Sequence, residues 1–189
     1  MDIENFLLTI GKNETLLKDK FLISNVSHCI DQKERPVSIC SVKYVDNEQE
    51  KYLLLELPFL KVIKKEDNFI YLLIEEQQIK NELNEIDDVL LNLIDDVENR
   101  DDCKDAFSNI TTKEFIYNTL LKKNDQCTFI KIFYNSSSEF TCKDKETTIL
   151  NVDINDMVQV ILLIDSIRIY TSDNCCLVKN LGQKIIMFT

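Results

Sequence analysis

The segment CTFIKIFY (127–134) alternates apolar residues with aromatic and basic ones at the spacing of a β-strand. With its two isoleucines facing the core, Phe129, Lys131 and Phe133 would share the opposite face. Aromatic rings stack on nucleic-acid bases and lysines meet phosphates, so this composition predicts a surface that binds a single strand. The simpler interpretation places both rings in the core and leaves Lys131 as a solvated base.

The C-terminal segment 157–188 predicts the two strands of a β-hairpin, joined by the turn cluster TSDN. The first strand begins apolar on both faces and then changes, because Ser166, Arg168 and Tyr170 alternate with two isoleucines. The isoleucines are the better core candidates, so Arg168 and Tyr170 are expected to be exposed together. Gly182, inside the second strand, predicts a bulge or a close backbone approach.

In that position Arg168 would meet a phosphate or stack on a base, and Tyr170 would offer a stacking platform that tolerates any base. The partner strand adds two further bases, Lys179 and Lys184. The alternative packs Tyr170 at the end of the sheet and pairs Arg168 with a surface acid such as Asp165.

A third basic and aromatic cluster lies on two predicted strands after Pro58. It consists of Lys61, Lys64 and Lys65 with Phe69 and Tyr71. The candidate role is again phosphate contact beside stacking rings, and the alternative is plain solvation of the bases.

Acidic residues are concentrated in one segment. The net charge of −11 argues against an indiscriminate nucleic-acid binder, but residues 75–105 hold twelve acids and three bases and so carry −9 of it. Apolar residues in this segment recur at spacings of three and four, which predicts an amphipathic helix with a stripe formed by Leu83, Ile86, Leu90, Leu93, Ile94 and Val97. Its solvent face is interpreted as a docking surface, a competitor for the protein's own nucleic-acid groove, or an ordinary solvated face, and carries Asp87, Asp88, Asp95 and Asp96.

The sequence supports neither catalysis nor a cofactor or metal site. It has no Gly-rich phosphate loop, no nucleophile or kinase signature, a single histidine and no C-x-x-C pair. A small hydrolase is therefore the weakest alternative. No apolar run approaches the roughly 18 residues of a membrane span. Acids near the N-terminus argue against a signal peptide, so a soluble, cytoplasmic protein without membrane contact is expected.

The predicted elements run in the order of several strands, two helices and four strands, without α/β alternation. The second helix is predicted to begin at the TTKE signal, Thr111–Glu114, and to continue through Leu121. Phe140–Leu150 is expected to pair back as a hairpin. The predicted fold class is α+β, an antiparallel OB-like β-barrel with two inserted or flanking helices. Residues 1–189 are taken as one domain with an acidic helical insert at about 78–122.

The terminal block DMVQVILLIDSIRIYTSDNCCLVKNLGQKI resembles the end of the OB-fold single-stranded DNA-binding proteins of large cytoplasmic DNA viruses. Residues 166–169 (SIRI) match a strand of the form apolar run, S-I-x-I. Residues 181–185 (LGQKI) match the outline of its hairpin partner. The segment KYLLLELPFLKVIKKEDNFIYLLIEEQQ, followed by a helix, is similar to the strand–strand–helix order of the poxvirus members. The chain lacks their Trp in the final hairpin and a long acidic tail.

The resemblance implies cooperative, sequence-independent coating of single-stranded DNA during viral DNA replication, with the acidic helix as the contact for a replication protein. The alternative from another class is an acidic interaction module that binds a viral or host protein and no nucleic acid. Both interpretations are non-enzymatic. Homo-oligomerisation and the choice between DNA and RNA stay open at this point.

Overall fold

The computed structural model describes residues 5–12, 18–98, 116–142, 145–170, 173 and 175–188. These residues form an α+β structure in which one helix lies on a strand-rich sheet. The helix α1 spans Gln77–Glu98. The strands are β1 (Asn5–Thr9), β2 (Phe21–Ile30), β3 (Pro36–Asp46), β4 (Gln49–Glu56), β5 (Leu60–Glu66), β6 (Phe69–Leu73), β7 (Ile116–Asn118), β8 (Leu121–Lys123), β9 (Thr128–Phe133), β10 (Glu139–Cys142), β11 (Lys145–Glu146), β12 (Met157–Tyr170) and β13 (Cys175–Phe188).

The sheet is arranged around β12. One edge of β12 pairs antiparallel with β13 along the whole strand, which confirms the predicted C-terminal hairpin. Its other edge pairs in turn with β5, β4 and β3. The irregularity predicted at Gly182 is also confirmed, because the register shifts between Ile161 and Leu162, and Leu162 lies opposite Gly182.

The strand pairings close a circuit. From β12 they run through β5, β6, β9 and β13 and return to β12. The prediction of an antiparallel sheet holds for most pairs, but β1–β4, β7–β13, β9–β13 and β10–β13 are parallel. Long connections separate the members of these pairs in the chain, whereas a hairpin would have made them antiparallel.

The second predicted helix is wrong over its described part. Residues 111–115 lie outside the described residues, and 116–118 and 121–123 form β7 and β8. Among the described residues, the helical part of the acidic segment is α1, and strands occupy the predicted limit at about 122. The segment is rich in aromatic and β-branched residues, and pairing with β13 and β9 overrides its weak helical signal.

The predicted hairpin at Phe140–Leu150 is partly right. β10 and β11 pair antiparallel with each other, but the long partner of β10 is β13, in parallel register, rather than the preceding strand β9. The C-terminal strand thus collects three neighbours along one edge, β7, β9 and β10.

The predicted apolar stripe of α1 is buried, from Leu83 to Ile94, and joins the core of the sheet. The side chain of Val97 lies outside the described residues. Among the helices that the structure describes, none has the length and apolar character required to cross a membrane.

Candidate nucleic-acid interface

The candidate site lies where the strands β9 and β13 separate from each other. The two strands pair only at Phe133 and Leu181. Next to this pair the Asn180 amide bridges them, accepting the Phe133 N–H at 3.3 Å and donating to the Lys131 carbonyl at 3.1 Å. Gly182 permits the close approach, because a Cβ there would lie 3.0 Å from Cγ2 of Ile132.

Beyond this point the two strands take different neighbours. β13 pairs with β7 and β9 pairs with β8, so the strands diverge. The divergence leaves a cavity of about 590 Å³, here called the groove. Its described lining residues come from β6, β7, β8, β9, β12, β13 and the β7–β8 connection, and are Phe69, Asn118, Thr119, Leu120, Lys122, Lys131, Phe133, Arg168, Tyr170, Leu177, Lys179 and Asn180.

The groove is basic in an acidic protein. Its described lining residues include four bases and no acid, although the chain carries a net charge of −11. The four bases come from four different strands and are Lys122, Lys131, Arg168 and Lys179. A cleft lined by charges of one sign focuses the electrostatic field and attracts ligands of the opposite sign.

Two of these bases have acids at the edge of the groove. Nζ of Lys131 lies 3.9 Å from a carboxylate oxygen of Glu66, and Nζ of Lys179 lies 3.6 Å from one of Asp165. Ion pairs of this length between partly exposed side chains contribute about 0–1 kcal/mol. An anionic ligand can therefore replace the acid as the partner of either lysine at a small cost in free energy.

The surroundings of Lys122 lower its pKa below the ordinary value for lysine. Burial lowers its pKa, the carboxylate of Asp87 opposes the shift, and the positive charge of Lys131 adds to it. A bound anion would reverse this effect, because an opposite charge nearby favours the ammonium form.

Arg168 has an unsatisfied donor. Its Nε is buried and has no hydrogen-bond partner. Leaving a buried donor unpaired costs about 1–3 kcal/mol, and more when it belongs to a charged group. The predicted alternative of an Arg168–Asp165 pair is not observed, because Asp165 instead accepts the Ser166 hydroxyl and approaches Lys179.

The prediction that Tyr170 is exposed is wrong. The residue is 5% exposed, and the Arg35 guanidinium lies over its ring at 4.5 Å from the centroid. Arg35 is itself held by Asp31 at 2.8 Å and by Asp173 at 2.6 Å. The β2–β3 hairpin covers this end of β12, so period-2 alternation alone does not decide exposure there.

The predicted face of β9 is confirmed. Ile130 and Ile132 are fully buried, while Phe129, Lys131 and Phe133 are half-buried on the other side. Their surroundings differ, however. Phe133 lies in the groove against Phe69, with ring centroids 5.5 Å apart, whereas Phe129 lies against Tyr71 at 5.7 Å and is not a lining residue.

The other predicted bases do not line the groove. Lys61 is exposed on β5, and Lys184 is half-buried on β13. Lys64 forms an ion pair with Glu66 at 2.5 Å. Lys65 donates to the carbonyl oxygens of Val152 at 2.6 Å and Ile149 at 3.3 Å, so it fixes the turn before β12.

Sequence reasoning missed the β7–β8 side of the groove. Asn118 and Thr119 fell within the incorrect second helix, Lys122 followed directly after it, and Asn180 carries no local signal. Phe69 was assigned to a different cluster, with Lys61, Lys64 and Lys65. The pair Lys122-Lys123 next to the strand CTFIKIFY is the one signal in the sequence that points to this side.

The acidic helix differs from its prediction at Asp87. This residue is 4% exposed and accepts hydrogen bonds from Leu120 N–H at 2.7 Å, Leu121 N–H at 3.2 Å and the Tyr117 hydroxyl at 3.2 Å. Burial raises its pKa, and these hydrogen bonds oppose the shift. Asp87 therefore fixes the β7–β8 connection. Asp88 is exposed as predicted, and the side chains of Asp95 and Asp96 lie outside the described residues.

Comparison with protein-family models and with curated proteins gives no relative from which a function could be transferred. No protein-family model matches the chain, and curated proteins give no significant match. The described residues contain no group of three or more His, Cys, Asp or Glu side chains placed to hold a metal ion. Any proposal therefore depends on the groove itself.

Proposed function

We propose that the protein binds single-stranded DNA in the groove, without sequence preference. The observation that carries the proposal is the basic, acid-free lining of the groove in a strongly acidic chain. Such a charge distribution suits a polyanion that is held in one defined path, and it disfavours binding of nucleic acid elsewhere on the surface.

Each part of the groove has a role in this proposal. The four bases of the groove contact phosphates through charge-assisted hydrogen bonds, and they are Lys122, Lys131, Arg168 and Lys179. Phe133 offers a ring to a base, because it lies at the groove and is only half-buried. Phe69 is less suited, since Nζ of Lys131 lies 3.8 Å from the centre of its ring.

The fold is compatible with this proposal. The circuit of β12, β5, β6, β9 and β13 contains five strands, and we interpret it as OB-like because an OB-fold barrel also has five strands and binds oligonucleotides. The terminal hairpin and the strand–strand–helix order resemble the single-stranded DNA-binding proteins of large cytoplasmic DNA viruses. On that basis the proposal extends to coating of DNA during viral replication.

Fluorescence polarisation with a labelled oligo-dT across a salt series tests the proposal. Binding should be strong at low salt and should weaken steeply as salt rises, because phosphate contacts release counterions. The variant Lys131→Ala/Lys179→Ala should bind weakly, and Lys61→Ala, an exposed lysine outside the groove, is the matched control. Absence of binding at low salt, or equal effects of both variants, would refute the groove. Oligo-rU in the same assay decides between DNA and RNA.

An acidic protein-interaction surface is the second candidate. One observation favours it: Leu91 is 40% exposed on α1, on the same side as the exposed acids Glu85 and Asp88. A basic partner with an apolar residue would suit this face. Binding of a basic peptide that is lost in Glu85→Gln/Asp88→Asn, together with no oligo-dT binding, would favour this function over the first.

A further inference from the structure

A second cavity lies beside the groove. It has a volume of about 420 Å³, and most of its described lining comes from the β2–β3 hairpin. We call it the hairpin cavity. Arg168 and Tyr170 line both cavities, so these two residues lie at the junction between them. The other described lining residues of the hairpin cavity are Cys29, Ile30, Asp31, Gln32, Lys33, Val37 and Ile39.

The charge of the hairpin cavity also suits an anion. Its one described acidic lining residue, Asp31, accepts the backbone N–H groups of Arg35 and Lys33 and binds the Arg35 guanidinium. The hydrogen bond from the Arg35 backbone, more than any other contact, holds the pKa of Asp31 below its usual value. The charge of Asp31 is thus countered within the hairpin, and Lys33 and Arg168 contribute positive charge to the cavity.

The cavity beside β8 offers no comparable continuation of the groove. A cavity of about 420 Å³ beside β8 includes Lys80 and Lys123, but also the exposed acids Glu75 and Asp125. It shares no described lining residue with the groove. A nucleic-acid strand that leaves the groove past Arg168 therefore meets an adjoining basic cavity, whereas the mixed cavity beside β8 shares no described lining residue with the groove.

We propose that the bound nucleic-acid strand continues past Arg168 into the hairpin cavity, so that the two cavities form one extended site. This inference rests on the proposed function of the groove. Arg168 contacts a phosphate at the junction, because it lines both cavities, and Lys33 contacts a phosphate further along. Tyr170 and the Arg35 guanidinium over its ring form a fixed wall beside the strand, since Arg35 is tied to Asp31 and Asp173.

Oligonucleotide length separates the two cavities experimentally. Oligo-dT of about four nucleotides fits one cavity, whereas about sixteen nucleotides spans both, within the range of site sizes of OB folds. Lys33→Ala should lower the affinity for the long oligonucleotide several-fold and reduce its salt slope by about 0.7, the effect of one phosphate contact on a single strand. The short oligonucleotide should bind Lys33→Ala and wild type equally. Lys131→Ala should weaken binding of both lengths, and Lys61→Ala should weaken neither.

The outcomes distinguish this inference from the function on which it rests. Failure of the wild-type protein to bind either length at low salt would overturn both. Normal binding of the long oligonucleotide by Lys33→Ala would overturn the extended site and leave the groove intact. An equal loss at both lengths would also overturn it, because Lys33 would then act on the groove itself. Thermal unfolding of Lys33→Ala is expected to match wild type, since the side chain is exposed.

Discussion

Basic and aromatic side chains occur together in two regions, the groove and the outer surface of β5 and β6, and the two regions use them differently. In the groove, Lys131 and Lys179 approach acids only at 3.9 and 3.6 Å and border an open cavity. On the β5–β6 surface, Lys64 pairs with Glu66 at 2.5 Å and Lys65 donates to two carbonyl oxygens. The same residue types thus line an open cavity in one place and form contacts within the fold in the other.

The cause of the difference is strand pairing. β5 and β6 pair continuously apart from one register shift, so the lysines of β5 lie on a paired surface that includes Glu66 of the same strand. β9 and β13 meet at one register pair and then separate. This separation creates a concave site where bases from four strands converge. Composition identifies both regions as candidates, and the topology selects one.

The sharpest test of this comparison reverses charge in each region. Lys131→Glu/Lys179→Glu should abolish detectable oligo-dT binding, because like charges facing each other in an interface cost several kcal/mol. Lys61→Glu/Lys64→Glu makes the same change in net charge outside the groove and should weaken binding only slightly. Fluorescence polarisation at low salt measures both, with circular dichroism to verify folding. Equal losses would mean that total charge, and not the groove, governs binding.

The two phenylalanines of β9 allow the same comparison for stacking. Phe133→Ala should cost about 1–3 kcal/mol of oligo-dT affinity, the usual value for loss of a stacked base. Phe129→Ala, on the same face of the same strand but outside the groove, should leave affinity unchanged. Titration at fixed salt measures the difference. A larger loss for Phe129 would move the binding surface to the Tyr71 side of β9.

The third prediction tests whether the lysines of β5 contribute to stability rather than to binding, and it compares Lys65 with Lys64. Lys65→Ala should lower the free energy of unfolding by about 1 kcal/mol, because two carbonyl oxygens lose a charged donor that is only partly exposed to water. Lys64→Ala, which removes an exposed ion pair, should change it by less than about 0.5 kcal/mol. Urea unfolding measures both, and neither change should affect oligo-dT binding. A binding defect in Lys65→Ala without loss of stability would return this residue to the site.

Local patterns predicted the parts of this molecule that local geometry controls. The alternation in CTFIKIFY gave the correct face for Phe129, Lys131 and Phe133, since side chains of a strand alternate whatever its neighbours are. The hairpin of β12 and β13 and the buried stripe of α1 were also predictable from local patterns. The hairpin has a turn cluster between two strand-like runs, and the apolar residues of α1 recur at spacings of three and four.

The features that the sequence did not predict depend on contacts between segments that are distant in the chain. Tyr170 is buried because Arg35, far away in the sequence, lies on its ring. Residues 116–118 and 121–123 are strands because β13 and β9 provide pairing partners. Asp87 is buried because the β7–β8 connection folds onto α1 and offers it two backbone donors. None of these partners can be identified from the periodicity of the segment itself.

Asp87 provides the last test, because it supports the groove wall through buried hydrogen bonds instead of contacting a ligand. Its raised pKa means that the folded state binds a proton at Asp87 more readily than the unfolded state does. The ionised carboxylate therefore reduces stability at neutral pH, and this cost disappears as pH falls through the raised pKa towards the ordinary value of 3.8. Asp31 and Glu66 behave oppositely, since their lowered pKa values mean that acid removes their stabilisation.

The variant Asp87→Asn isolates this contribution, because Asp31 and Glu66 act equally in both proteins. The amide introduced by this substitution cannot titrate, so the free energy of unfolding of wild type should rise relative to the variant as pH falls from 7, and the difference should level off below about 3.8. Urea unfolding across this pH range measures it, and the effect is the smallest of the four. A difference that moves the other way would show that the backbone donors of Leu120 and Leu121 stabilise the carboxylate more than burial penalises it. The ionised side chain would then be the form that best holds the groove wall beside Lys122, and acidification would loosen that wall.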